Sequence, residues 1–249
     1  MTTPRRRRDG KLGTEVLGVL PLETTLRDSR KVVVDIFRSD AEYDAAFELT
    51  NCAIEDGDAL ARIEVFEDVV EWRQWFCSHA AFVVRATEEG FDCDGAVSKR
   101  GSILGAFFCR PKFQGRGAHL CETFIVSAPE FRRLGVGRLM GSCFLRFARD
   151  LGYGAAYVDQ VFQSNDAIVH LLESLGFQRA CELPNALRLN PALIEDEALR
   201  RGDDESEDDA CPDYDTAVAF FYDLNTDLPE DFDPLACSNQ RDSILFAAS

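Results

Sequence analysis

Residues 122–138 read Glu122-Thr123-Phe124-Ile125-Val126-Ser127-Ala128-Pro129-Glu130-Phe131-Arg132-Arg133-Leu134-Gly135-Val136-Gly137-Arg138. An apolar strand ends near Val126, a loop follows, and a helix opens at the two glycines. Glycine at a helix start lets a ligand come close to the backbone. The first-turn N–H groups there have no partner within the helix. With the helix dipole they form an anion site suited to a pyrophosphate. Arg132, Arg133 and Arg138 add positive charge beside it. Gly135-x-Gly137-x-x-x-Gly141 also mimics a dinucleotide fingerprint, but in that motif the strand runs straight into the first glycine. Here residues 127–134 intervene. A P-loop requires Gly-Lys-Ser/Thr, which is absent.

Working outward, Val136, Leu139, Met140, Cys143, Phe144 and Phe147 recur at spacings of three and four, which predicts a helix over 135–151. A strand at 155–162 follows, then a helix over 165–175 stopped by Gly176. Strands at 178–183 and 216–224 close the series. Upstream, strands are expected at 32–38, 80–86, 102–109 and 119–126. Residues 110–117 carry turn chemistry, and 87–100 is a Gly-rich polar loop. Ser39 or Asp40 caps a helix running to about Cys52. A second helix is expected between Asp58 and Phe76, with Trp72, Trp75 and Phe76 as packing groups. The order is β-α-α-β-β-β-α-β-α-β-β, a single α+β (mixed α/β) domain.

The 249 residues carry 27 basic and 44 acidic side chains, a formal charge of −17. That excludes simple wrapping of duplex nucleic acid, which relies on basic groups neutralising phosphates. No apolar run is long enough for a spanning helix, so no membrane partner is expected. Residues 1–28 read as a mobile basic leader with Arg5, Arg6, Arg7, Arg8 and Lys11, without the apolar core of a secretory signal. Arg5–Arg8 are a weak match to a nuclear import or RNA-binding run. The domain spans 29–225, with an acidic, disordered insertion at about 190–215. An acidic tail occupies 226–249. Nine cysteines, mostly inside apolar runs and never as Cys-x-x-Cys, read as reduced buried thiols of an intracellular protein, cytoplasmic or nuclear. No metal site is expected.

Arg132-Arg133-Leu134-Gly135-Val136-Gly137 resembles the Arg/Gln-x-x-Gly-x-Gly/Ala signature of the GNAT superfamily of N-acyltransferases. Asn165, the helix after it, and Gly176-Phe177 resemble that family's second motif, at the family's usual separation. The resemblance covers about residues 30–224. Phe113–Gly117 with His119, Val161-Phe162 ahead of Asn165, and Pro184–Arg188 resemble a fungal-type subgroup that includes the yeast azetidine-carboxylate acetyltransferase. The resemblance implies a central mixed sheet of about seven strands flanked by helices. That sheet splays open between the family's fourth and fifth strands, here 119–126 and 155–162.

It also implies a chemistry. Acetyl-CoA would lie in the splay as co-substrate, its pyrophosphate held by backbone N–H groups of Arg133, Leu134, Gly135, Val136, Gly137 and Arg138. Ile125 and Val126 would pair with the pantetheine arm and polarise the thioester carbonyl. Asn165 would hydrogen-bond that arm. An amine would attack directly, so no enzyme nucleophile is needed, but its proton must be removed.

Glu122 and Asp159 are the expected catalytic carboxylates. Two acids where the fungal relatives tend to carry Asn favour a cationic amine acceptor over an α-carboxylated one. A protein N-terminus or histone-like tail is the alternative acceptor, and a CoA-binding domain without turnover the alternative function. Leu172 stands where the family often has a proton-donating Tyr, His170 lies on another helix face, and His119 is a second-tier candidate. Many members of the family dimerise, so a homodimer is a further partner the resemblance allows.

Overall fold

The apolar runs of the sequence leave strands little choice but to be covered on both faces. The computed structural model, which describes residues 18–91, 97–190, 214–229 and 231–235, shows how. Nine strands form one open mixed sheet: β1 (Leu22–Thr25), β2 (Lys31–Asp35), β3 (Ala80–Ala86), β6 (Ile103–Pro111), β7 (Leu120–Glu122), β8 (Ile125–Ser127), β9 (Ala155–Phe162), β10 (Gln178–Arg188) and β11 (Tyr214–Asp223). The order across it is β1-β2-β3-β6-β7-β9-β11-β10, with β8 also on β6. A separate two-stranded ribbon joins β4 (Gly90–Phe91) to β5 (Val97–Ser98). The β7–β9 pair is parallel and the other pairs of the sheet are antiparallel.

Four described helices cover the faces: α1 (Asp40–Asp56), α2 (Val69–Phe76), α3 (Val136–Asp150) and α4 (Asp166–Ser174). Side chains alternate along β3, so Phe82 and Val84 meet α3 while Ala81 and Val83 meet α1 and α2. All six predicted α3 positions are buried, with Phe147 against Phe82 at 4.8 Å between ring centres. On the other face, Trp72 and Phe76 stack at 4.7 Å, and the Trp72 indole donates to Thr50 Oγ1 (2.9 Å).

Several expectations change. The sheet has nine strands, not about seven, for two reasons. Leu22–Thr25, expected in the leader, pairs with β2 as an edge strand, and Leu26 beyond it is buried. The single strand expected at 119–126 divides at Thr123-Phe124 into β7 and β8. The second helix starts only at Val69, because the Asp68 carboxylate accepts from the N–H groups of Val70 and Glu71 (both 2.8 Å). Ahead of it the chain is irregular, and Asn51 pins buried Phe66 by donating to its carbonyl (3.1 Å) and accepting from its N–H (2.9 Å). The strand expected at 178–183 continues to Arg188. Part of the expected tail is packed: Leu228 is buried and Arg146 on α3 donates to the Phe232 carbonyl (3.0 Å). The acidic stretch 191–213 and residues 1–17 lie outside the described residues. No described helix is long and apolar enough to cross a membrane.

Candidate active site

The site is made by a strand changing partners. β7 pairs with β9 only at Leu120–Ala155 and Cys121–Ala156. Two residues later the chain resumes as β8, which pairs with β6 through Ile125–Phe107, Val126–Ala106 and Ser127–Gly105. β8 and β9 therefore diverge, and a cleft of about 510 Å³ opens between them.

Strand alternation decides which backbone groups face that cleft. The Phe108 N–H donates to the Phe124 carbonyl, and the Ala128 N–H donates to the Leu104 carbonyl. Phe124, Val126 and Ala128 thus spend their main-chain groups on β6. Those of Ile125 and Ser127 point the other way, into the splay. Of the two residues expected to contact a pantetheine arm, Ile125 is placed for it. Val126 turns its main-chain groups to β6 instead, and Ser127, not singled out from the sequence, joins Ile125 in facing the splay. The signal was the two-residue period itself, which pairs Ile125 with Ser127 and not with Val126.

Beyond β8, a turn at Pro129–Phe131 leads to α3. Gly135 is the N-cap, at φ 92°, a left-handed conformation that favours glycine. The first intrahelical bond runs from the Leu139 N–H to the Gly135 carbonyl (2.9 Å). The N–H groups of Val136, Gly137 and Arg138 lie in the turn before it, and the N-cap glycine has no side chain to cap them. Leu134 and Val136 are buried anchors that fix the loop to the core. Arg132 and Arg133 are exposed, with Arg132 3.6 Å from Asp56, and Arg133 holds φ 64°. Arg138 reaches back to Ser174 on α4 (3.3 Å to Oγ). Asn165 caps α4 by accepting from the Ile168 N–H (3.2 Å), and its amide also donates to the Asp58 carbonyl (3.0 Å). The end of α1 thereby meets the start of α4 beside the cleft.

Glu122 and Asp159 both line the cleft. Asp159 is aimed there by a bulge in β9. The pairing with β11 slips between Val218 and Phe220, opposite Asp159-Gln160, and Gln160 takes φ 55°. The structure brings the two acids together through a cation that the sequence reading did not single out. Lys112 Nζ donates to Glu122 Oε2 (2.8 Å) and to Asp159 Oδ1. Burial works against the Lys112 charge, but its hydrogen bonds to Asp159 and Glu122 outweigh that and hold it above the usual lysine range. Arg110 Nε donates to Glu122 Oε1 (2.7 Å), and its Nη1 donates to the Trp75 carbonyl at the end of α2 (2.8 Å). The acids thus work inside an ion-pair chain: Arg110, Glu122, Lys112, Asp159.

A third carboxyl, Asp58, also lines the cleft. Burial, and then the neighbouring charge of Asp56, raise it above the ordinary carboxylate range. It forms no ion pair among the described residues. Of the other candidates, Leu172 lines the cleft without a proton to give. His170 is exposed. His119 is exposed and bonded through its ring to the Arg116 carbonyl (3.2 Å), away from the cleft lining. Among the described residues no group of His, Cys, Asp and Glu has the arrangement to hold a metal ion.

Known proteins resemble this chain in sequence and in fold. The N-acetyltransferase aca1 of Schizosaccharomyces pombe is 33% identical over 94 residues, which is 38% of this chain and 45% of that protein, under half its length. A GCN5-related N-acetyltransferase from Kribbella flavida has the same fold, with a TM-score of 0.58, 20% identity, and coverage of 77% of this chain and 97% of that one. So does a phosphinothricin acetyltransferase from Sinorhizobium meliloti, solved in complex with acetyl-CoA. Its TM-score is 0.55 and its identity 14%, over 84% of this chain and 99% of that one. The acetyltransferase (GNAT) family model matches residues 46–177, from within α1 to the Gly176-Phe177 that follows α4. That is more than half of the sequence, and the chain belongs to the GNAT acetyltransferase family.

Proposed function

We propose that the chain is an acetyl-CoA-dependent N-acetyltransferase whose acceptor is a primary amine, a small cationic one. The observation that carries the donor half is the continuity of two backbone features. The Ile125 and Ser127 edge of β8 faces the splay, and the chain runs on from it to the first turn of α3, which opens at Gly135. An extended amide-bearing arm ending in a pyrophosphate fits that sequence of donors. Ile125 and Ser127 would pair with the arm, and the N–H groups of Val136, Gly137 and Arg138 would hold the phosphates.

The acceptor half rests on the two carboxylates that already hold one ammonium in the cleft, that of Lys112. The neutral amine adds to the thioester carbon, and CoA leaves as thiolate. The proton lost by nitrogen passes to a cleft carboxylate, directly or through water. Leu172 offers no acid, so solvent protonates the thiolate.

The test is thiol release from acetyl-CoA over a panel of amines, alongside calorimetric binding of acetyl-CoA. Release with diamines and polyamines supports the whole reading. Release only with α-carboxylated amino acids overturns the acceptor, and release only with peptides moves it to a protein substrate. Binding without any release leaves a CoA-binding domain.

A further inference from the structure

Lys112 sits just past the end of β6, where its N–H donates to the Leu120 carbonyl (2.9 Å). Its backbone is therefore fixed. Its ammonium, at the end of four flexible methylenes, is the only cation among the described residues that binds both Glu122 and Asp159. The three side chains are 16%, 17% and 29% exposed. Two carboxylates at that depth are costly to leave without a cation. Glu122 keeps Arg110 whatever Lys112 does, while Asp159 has no other ion-pair partner among the described residues.

We propose that Lys112 is a built-in occupant of the acceptor's ammonium subsite, and that a cationic acceptor binds by exchanging with it at Asp159 and Glu122. This deepens the N-acetyltransferase reading and rests on it for the word acceptor. The exchange keeps the charge balance of the cleft, since one ammonium leaves for solvent as another arrives. Lys112 lies between the end of β6 and residues 113–117, a turn with exposed Phe113 and a left-handed Gly115. Its side chain can therefore swing to water without unpacking the core. A tethered competitor acts at an effective concentration on the order of millimolar. A single free amine is at a disadvantage, and an acceptor with a second cationic group gains most when the competitor is removed.

The test is calorimetric binding of 1,5-diaminopentane to the full chain saturated with CoA, for the wild type, Lys112→Met, Lys112→Gln and Lys112→Arg. Thermal melting and the Kd for CoA serve as controls for folding. Tenfold or tighter diamine binding by Lys112→Met and Lys112→Gln, with Lys112→Arg staying near wild type, is the expected result. Unchanged or weaker binding by both neutral variants overturns the proposal. If only one neutral variant folds, it decides alone. Tighter binding without thiol release would leave the subsite standing and remove the catalytic reading. Thiol release from other amines with no diamine binding by any variant would do the reverse.

Discussion

At Gly135 a single torsion decides whether the turn proposed to bind the pyrophosphate exists. A φ of 92° costs a side-chain-bearing residue about 1–2 kcal/mol, more if β-branched. Gly135→Val is expected to fold with a lowered melting temperature and to lose acetyl-CoA binding by calorimetry. Gly137 is under no such constraint. A Cβ there meets only Leu171 Cδ2, at an ordinary 3.7 Å, and alanine suits a helix better than glycine. Gly137→Ala is therefore expected to melt no lower than wild type and, since the Gly/Ala place of the signature admits alanine, to keep its acetyl-CoA binding by calorimetry.

Asp35 makes a different residue-scale case. It is buried and accepts from Arg38 (2.6 Å), from the Ile36 N–H (2.9 Å) and from Arg85. Desolvation raises its carboxyl, but the Arg38 hydrogen bond, the Ile36 N–H and the Arg85 charge together bring it below the ordinary value. A depressed folded value means the contribution is complete above the unfolded carboxylate range and fades as pH falls through the folded one, in the window below about pH 4. Asp35→Asn is expected to cost about 3 kcal/mol at neutral pH in denaturant titration, by leaving Arg85 underpaired. Its melting temperature should then fall less steeply than wild type below about pH 4.

Glu122, Asp159 and Asn165 were singled out from the sequence and stand in the cleft lining. Lys112 and Asp58 were not singled out, because partners far along the chain bring them there: Lys112 meets Asp159 across 47 positions, and the Asp58 carbonyl meets Asn165 across 107.

At the scale of elements, the cleft depends on how closely β6, β8 and α3 approach. Gly105 on β6 marks the tightest point: a Cβ there would lie 2.6 Å from the Val126 carbonyl oxygen and 2.8 Å from Met140 Cε. Met140 can turn aside, but the carbonyl belongs to the β8 backbone. Gly105→Ala must push β8 away from β6 and towards the splay. Overpacking of this kind costs about 1–3 kcal/mol. The expected outcome is a lower melting temperature together with weaker acetyl-CoA binding, because the displaced strand is the one that carries Ile125 and Ser127, the proposed partners of the pantetheine arm. A lower melting temperature with unchanged binding would argue that the arm does not run along β8.

The elements themselves were largely readable. The α3 periodicity and the runs 80–86 and 102–109 are strong because burial on one stripe or on both faces leaves an unmistakable pattern. The β7–β8 division was not readable, since a change of pairing partner within an apolar run alters no residue type. Nor was β1, whose alternating exposure on a sheet edge leaves a weak signal.

For the whole molecule, the distribution of charge says more than its sum. The formal charge is −17, yet the cleft lining balances Asp58, Glu122 and Asp159 against Arg62, Arg110 and Lys112. Much of the excess acid lies instead in the connection between β10 and β11. Leu187 pairs with Asp215 and Arg188 with Tyr214, so that connection leaves and returns at one end of a hairpin. Asn190, just before it, donates to the Glu55 carbonyl (2.9 Å) and belongs to the body of the fold. Replacing residues 192–212 with a short Gly-Ser linker removes nine acids and two arginines without touching either contact. Loop closure becomes cheaper by about 0.6 kcal/mol per halving of length. The melting temperature is therefore expected to hold or rise slightly, with acetyl-CoA binding unchanged. The informative measurement is kcat/KM at low and high salt. A small diamine seated by Asp159 and Glu122 should be acetylated as before. A basic peptide attracted over long range by the acidic connection should lose its rate advantage at low salt, where such steering is strongest. Equal losses for both acceptors would place the connection within the working cleft, against its reading as a solvated insertion.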